Sequence, residues 1–232
     1  MHQPATGSPV TWARAALLAL GVAACGGDDG AGGDATVSAP SAPVTADECV
    51  VWLHGRGDRG QAPVVDRGVA HLSPAGNGEW EGGRQWLYAT ASDLAAATTV
   101  VTEAIESAEC DRVVLHGFSN GAAFAAKLYC RGSDFDGRLR GVVIDDPVTD
   151  ASVDGCSPSD RVDAVLYWTT ALESQAPAGT ACDTIGWTCE GPTVIGVDAY
   201  AAALGLPITP SVHVEHRPYP DPPPIAVWLA AG

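Results

Sequence analysis

The sequence predicts an α/β fold, a three-layer α/β/α sandwich built on a mostly parallel sheet. Short apolar runs typical of buried strands alternate with segments of helical spacing, and that alternation favours a parallel sheet covered on both faces. In addition, the segment 117–121, with glycines at both ends, lies between an apolar run, 112–116, and a helix rich in small residues, 122–129. The chain therefore passes there from strand to helix through a sharp turn.

The other elements follow from the same patterns in chain order. In segment 93–108, Leu94, Val101 and Ile105 share one side at helical spacing, with Ser92 or Asp93 as the N-cap. The predicted strands are 50–53, 85–89, 112–116, 141–144, 164–168 and 212–215, and the predicted helices are 62–72, 93–108, 122–129, 196–204 and 223–231, with a loop over 73–83.

An export segment is predicted ahead of the folded part, over residues 1–24. Its apolar stretch, 15–21, follows Arg14 and is too short to span a bilayer. Val-Ala-Ala before Cys25 resembles a bacterial lipobox, in which the cysteine is lipidated and becomes the mature N-terminus. The alternative is an ordinary signal peptide cut near Ala24.

Residues 25–47 are rich in Gly, Ala, Pro and Asp and contain almost nothing to bury, so they are predicted to be a disordered tether. The folded domain is then expected over 48–232. Together these segments predict an exported cell-envelope lipoprotein that contacts the membrane only through its N-terminal lipid.

The charge of the chain limits its partners. The formal net charge is −16 at pH 7, which argues against binding to nucleic acid or anionic lipid and repels strongly anionic substrates at long range. The sequence has no Cys-x-x-Cys pair or clustered Cys/His spacing, so no metal site is predicted. No cofactor is expected either, and we expect a monomer.

Two motifs carry a resemblance to a known family. Ser119 lies at the centre of Gly117-Phe118-Ser119-Asn120-Gly121, and His54-Gly55-Arg56-Gly57 follows an earlier strand. Together they resemble the nucleophile elbow and the oxyanion loop of α/β-hydrolases of the small, capless carboxylesterase kind, over roughly residue 49 to the C-terminus. The resemblance implies a serine esterase that forms an acyl-enzyme on Ser119 and acts on a small-molecule or surface-accessible ester. The alternative is a catalytically inert hydrolase-fold lipoprotein with a binding or envelope role.

The resemblance also implies an order of serine, acid and histidine along the chain. Two histidines follow Ser119, His213 and His216. His213 falls inside the predicted strand 212–215, whereas His216 falls just beyond it, before the proline-containing segment 217–220. Because a catalytic imidazole must lean over the sheet edge from a loop, His216 is the predicted base.

The acid is less well defined by the sequence. In the family it usually follows the strand that corresponds to 164–168, and Glu173 is the carboxylate found there. Glu173 is therefore the predicted acid. Asp183, farther along, and Asp145 and Asp146, which end the preceding strand, are the alternatives.

For the oxyanion hole, the resemblance implies two backbone N–H donors. One is that of Asn120, which follows the nucleophile and begins the helix, and the second is expected from Arg56 or Gly57.

The cysteines complete the prediction. Of seven, six remain if Cys25 carries lipid, and an even remainder in an exported chain indicates three disulfides. In the sheet that the resemblance implies, the strands that follow Cys49 and Cys110 are parallel neighbours about 5 Å apart, which allows a bridge. Cys182 and Cys189 are expected to close a local loop, which leaves Cys130 for Cys156. The alternative is that some of the six are free buried thiols.

Overall fold

The computed structural model describes residues 45–231, apart from the side chain of Ser174. The strands are β1 (Glu48–Leu53), β2 (Gln61–Asp66), β3 (Val69–Ser73), β4 (Gly78–Trp80), β5 (Gly83–Gln85), β6 (Arg112–Phe118), β7 (Leu139–Asp145), β8 (Asp163–Trp168) and β9 (Ile208–Pro210). The helices are α1 (Ala91–Ser107), α2 (Asn120–Cys130), α3 (Ala171–Gln175), α4 (Val197–Leu204) and α5 (Pro223–Ala230), with a 3₁₀ turn at Ala151–Val153.

Seven of these strands form one sheet in the order β2-β3-β1-β6-β7-β8-β9. Every neighbouring pair is parallel except β2 and β3. The predicted α/β fold with a mostly parallel sheet, of α/β-hydrolase type, is therefore confirmed. Parallel strands are buried on both faces, which explains why the central strands β1, β6 and β7 consist largely of buried apolar residues.

Alternate residues of the central strands enter two different cores. Val113 and Leu115 pack in the core that includes residues of α1 and α2. Val114, between them, packs with Leu229 of α5 on the other side. This alternation places α1 and α2 on one face of the sheet and α5 on the opposite face, and it produces the three predicted layers.

Three disulfides are present, at the predicted pairs. Cys49–Cys110 ties the start of β1 to the segment before β6, Cys130–Cys156 ties the last residue of α2 to the segment after the 3₁₀ turn, and Cys182–Cys189 closes a short loop. Disulfides form and persist in oxidising compartments, so the folded part belongs to such a compartment. None of the described helices is both long enough and apolar enough to span a membrane.

The predicted helix at 62–72 is wrong, because this segment is the hairpin of β2 and β3. Arg67 and Gly68 both have positive φ, 51° and 87°, the geometry of a tight two-residue turn that joins antiparallel strands. In β3, Ala70 and Leu72 are buried while His71 is exposed. That two-residue period is the period of a strand, and the sequence interpretation missed it.

Three smaller predictions also need correction. The predicted strand at 85–89 is a strand only at its first residue, which ends β5, and 86–89 are irregular; the β4–β5 pair itself begins within the predicted loop 73–83. The last strand is β9, and 212–215 is irregular and exposed, with Val214 at 79%. The N-cap of α1 is Thr90, whose hydroxyl accepts the N–H of Asp93 at 3.1 Å.

The predicted export segment, the lipidation site Cys25 and residues 25–44 of the predicted tether lie outside the described residues.

Candidate active site

Ser119 occupies the turn between β6 and α2 in a strained conformation, with φ 55° and ψ −118°. The two flanking glycines are required by space. A Cβ on Gly121 would lie 1.9 Å from the carbonyl oxygen of Leu53, and one on Gly117 would lie 2.4 Å from the carbonyl oxygen of Gly121. Positive φ in a non-glycine residue is unfavourable and is retained where the surroundings enforce it. Here the backbone enforces it and lifts the hydroxyl out of the sheet.

The Ser119 hydroxyl oxygen lies 2.9 Å from Nε2 of His216, and Nδ1 of the same ring lies 2.5 Å from Oδ2 of Asp146. The His216 side chain is 23% exposed, whereas that of Asp146 is fully buried. An ionised carboxylate only accepts hydrogen bonds, so its contact places a proton on Nδ1 and leaves Nε2 free to accept the serine proton. Ser119, His216 and Asp146 thus form one hydrogen-bonded chain.

Asp146 is positioned by the end of the neighbouring strand. It follows β7 with φ 48°, and its carboxylate accepts the Thr169 N–H at 3.1 Å and the Thr169 hydroxyl at 2.6 Å. Thr169 comes directly after β8. All three groups that face the carboxylate are therefore donors, which fixes its orientation.

The predicted acid, Glu173, does not contact His216. It lies on α3 with an exposed side chain, because the chain after β8 uses Thr169 to hold Asp146 and then turns into a short helix. Asp183 is likewise exposed. The carboxylate that meets the imidazole is Asp146, which the sequence left as an alternative.

The loop that carries His216 is anchored at two points. The imidazole stacks on Phe118, next to the serine, with ring centroids 4.6 Å apart. Three residues later, the N–H of Tyr219 donates to the buried carboxylate of Asp145 at 2.6 Å. His213 lies in the same irregular segment, where its backbone N–H donates to Ser211 at 3.4 Å, and it is not the imidazole that meets Ser119.

Hydrogen bonds distinguish the predicted oxyanion donors from one another. The N–H of Gly57 already donates to the carbonyl of Arg84 at 2.9 Å, so it is not free for a substrate, and Arg56 remains of the two predicted choices. Within the described part of the chain, the backbone N–H groups of Arg56 and Asn120 have no acceptor. Both flank Ser119, since Arg56 lines the same cavity and Asn120 is the next residue. Two unpaired backbone N–H groups of this kind could serve as oxyanion donors.

Side chains brace these two donors. The ring of His54 accepts the Gly76 N–H on Nε2 at 3.1 Å, so its Nδ1 donates to the carbonyl of Gly55 at 2.7 Å. The Asn120 amide is buried and pairs with both backbone groups of Trp86, at 2.7 and 3.1 Å. The pairing of Asn120 with Trp86 carries no local sequence signal, because 34 residues separate its members.

Ser119 and His216 open into a cavity of about 260 Å³. Phe118, Val148, Leu172 and Trp187 give it an apolar lining, and Arg56 and Gln175 are its polar side chains. A larger cavity, of about 360 Å³, lies beside Trp52 and Tyr219 and does not include the serine. The hydrogen-bonded chain, rather than cavity size, identifies the site. Within residues 45–231 no group of three or more His, Cys, Asp or Glu side chains could hold a metal ion.

No protein-family model matches the sequence, and no curated protein matches it. Among solved structures, the chain is similar to a carboxylesterase from Bacillus cereus, with 20% sequence identity, 78% of this chain and 85% of that chain covered, and a TM-score of 0.47. It is also similar to an esterase from Pyrococcus furiosus, with 10% identity, 72% and 76% covered, and a TM-score of 0.41. At these identities and scores the likenesses say nothing of what the chain acts on, and the residue assignments rest on the contacts above.

Proposed function

We propose that this protein hydrolyses carboxylic esters through an acyl-enzyme on Ser119. The observation that carries the proposal is the chain of two contacts, 2.9 Å from Ser119 to His216 and 2.5 Å from His216 to Asp146. A serine hydroxyl is a weak nucleophile at its ordinary pKa, and an adjacent base with an orienting acid is the usual way to activate it.

In the first half of the reaction, the Ser119 oxygen attacks the acyl carbon while Nε2 of His216 removes the hydroxyl proton. The negative charge that develops on the carbonyl oxygen is stabilised by the N–H groups of Arg56 and Asn120, each worth about 3 kcal/mol in the transition state. Asp146 stabilises the imidazolium cation. The imidazolium then gives its proton to the departing alcohol, and the acyl group stays on the serine.

In the second half, a water molecule attacks the acyl-serine, again with Nε2 of His216 as the base. Collapse of the second tetrahedral intermediate releases the carboxylic acid and restores the serine hydroxyl. The small, mainly apolar cavity beside Ser119 favours esters with a short apolar group or esters presented at a surface.

The competing hypothesis, an inert hydrolase-fold protein, drew its support from the absence of a clear acid in the sequence. The contact between Asp146 and His216 removes that support, so we do not favour it.

Labelling with a fluorophosphonate probe separates the two hypotheses, because such probes react with activated serines. We expect stoichiometric labelling of the native protein at Ser119, no labelling of Ser119→Ala, and a large loss with His216→Ala. His213→Ala is the matched control, since that residue lies in the same segment, and it should label at the native rate. Absence of labelling in the folded native protein would contradict the proposed function.

We further propose that the protein is an exported monomer held to the membrane by lipid on Cys25. The three disulfides support export. Intact-mass analysis of the membrane fraction should find a diacylglyceryl-modified Cys25 as the first residue, and Cys25→Ala should leave the protein unmodified. A mature chain that begins with an unmodified residue would contradict this proposal.

A further inference from the structure

The cavity beside Ser119 contains one permanent cation and no carboxylate. Among residues 45–231, Arg56 is the only lysine or arginine that lines it, and neither Asp nor Glu does. This is notable in a chain of net charge −16. Arg56 is thus a local exception to the overall charge.

The Arg56 guanidinium is held in place but is poorly neutralised. It lies over the Trp80 ring, 4.3 Å from the centroid, and its Nη1 donates to the carbonyl of Gly186. Among residues 45–231 no carboxylate forms an ion pair with it. Of the five N–H donors of a guanidinium, only one on Nη1 has a protein acceptor.

Burial lowers the pKa of Arg56 from its ordinary value, and the nearby charge of Glu81 offsets part of this effect without forming an ion pair. The guanidinium donates to Gly186, and the next residue, Trp187, lines the same cavity as Ser119. Because Arg56 is itself a lining residue, its side chain stands beside any molecule bound in this cavity.

Resting on the proposed ester hydrolysis, we propose that the substrate is an ester that bears a carboxylate, bound by Arg56 while the scissile acyl carbon meets Ser119. The rest of the lining is apolar, at Phe118, Val148 and Leu172, and suits a short hydrocarbon spacer between the two groups. The planar guanidinium suits bidentate recognition of a carboxylate.

The net charge does not oppose this binding at close range. At physiological ionic strength the Debye length is about 8 Å, so distant surface carboxylates are largely screened. A direct contact with a half-buried guanidinium is screened far less. The long-range repulsion expected from the sequence therefore slows the approach of an anion without cancelling its contact with Arg56.

The test compares matched esters that differ only in one charge, at physiological salt. One pair carries the charge on the acyl side: mono-4-nitrophenyl adipate and its methyl ester. The other pair carries it on the alcohol side: 4-acetoxybenzoate and its methyl ester. The readout is the ratio of kcat/KM for the acid to kcat/KM for the neutral ester, which does not depend on the folded fraction of a variant.

We expect Arg56→Met to lower this ratio about tenfold in at least one pair, the size typical of a charge-assisted contact, with Arg56→Lys in between. Arg59→Met is the matched control. It removes the same charge from the same loop, where the Arg59 guanidinium donates to Gly82, and Arg59 does not line the cavity. Its ratio should equal that of the native protein.

Equal ratios in native protein and Arg56→Met, for both pairs, would overturn the inference, as would an equal loss with Arg59→Met. In either case, hydrolysis of the neutral esters that depends on Ser119 leaves the proposed function standing, whereas hydrolysis of none of the four esters overturns both. Should Arg56→Met fail to fold, the native protein still decides. Hexanoate should inhibit neutral-ester hydrolysis about tenfold more strongly than hexanamide, and equal inhibition would overturn the inference.

Discussion

The assignment of Asp146 as the acid makes a prediction for Asp146→Asn, which keeps the shape of the side chain and removes its charge. All three groups that face the carboxylate are donors: the N–H and hydroxyl of Thr169 and Nδ1 of His216. An asparagine presents one oxygen and one NH₂ group. The backbone N–H of Thr169 cannot become an acceptor, so the oxygen must face it and the NH₂ must face the imidazole.

His216 can meet that NH₂ only by moving its own proton from Nδ1 to Nε2. A proton on Nε2 then points at Ser119, and the ring can no longer accept the proton of the hydroxyl. The asparagine therefore selects the tautomer that cannot act as a base. Where this tautomer reversal occurs in a serine triad, kcat falls about ten-thousandfold, and we expect a loss of that order here.

Steady-state hydrolysis of 4-nitrophenyl acetate measures this loss, with circular dichroism to show that the variant is folded. Glu173→Gln is the matched control, because it makes the equivalent change at the acid that the sequence predicted, and it should keep activity within about twofold. If Asp146→Asn stays within tenfold of the native kcat, or if Glu173→Gln is the inactive variant, the reasoning about the acid is refuted.

Three further predictions concern the elbow, the buried core and the cavity wall. Gly121→Ala should destabilise the fold by about 3 kcal/mol in urea denaturation, because its Cβ would lie 1.9 Å from the Leu53 carbonyl; native stability would contradict the elbow geometry. Burial raises the pKa of Tyr88 well above its usual value, so its hydroxyl stays a donor to Asp150 at 2.9 Å. Tyr88→Phe should therefore lower the free energy of unfolding by about 2 kcal/mol, and an unchanged value would mean that this bond is immaterial. Trp187→Ala should raise kcat/KM for 4-nitrophenyl octanoate relative to acetate about tenfold, because it enlarges the cavity; an unchanged ratio would show that Trp187 does not limit acyl length.

The parts of the site that the sequence predicted are those encoded within a few residues. The elbow is a local pattern, since the glycines at 117 and 121 and the flanking strand and helix lie within about twenty residues. His216 was identified by its place beyond an apolar run and before prolines. The predicted strand 212–215 was wrong, yet the residue still lies on a loop after the last strand, β9, because Pro210 and the exposed segment after it end the pairing.

The acid could not be chosen from the sequence, because it depends on how the ends of two neighbouring strands meet. Asp146 and Thr169 are 23 residues apart, and only the pairing of β7 with β8 brings them together. Two consecutive aspartates at the end of a buried strand were the available signal. The two carboxylates have different partners, since Asp146 contacts His216 while Asp145 accepts the N–H of Tyr219.

The choice between Arg56 and Gly57 as oxyanion donor could not be made from the sequence either, because it also depends on a distant residue. Both N–H groups lie in one glycine loop, and a distant partner, the Arg84 carbonyl, engages that of Gly57. Likewise, the segment 62–72 was ambiguous because β2 is exposed along its whole length, so only the short β3 shows the alternation of buried and exposed residues that marks a strand.

The pre-steady-state release of 4-nitrophenol from its acetate ester tests the central claim most directly, because an acyl-enzyme releases the alcohol before the acid. The account predicts a burst of one nitrophenol per protein molecule. It also predicts an acetyl adduct of about 42 daltons on the peptide that contains Ser119, and neither signal from Ser119→Ala. Turnover with no adduct on that peptide, or an undiminished burst from Ser119→Ala, would contradict it.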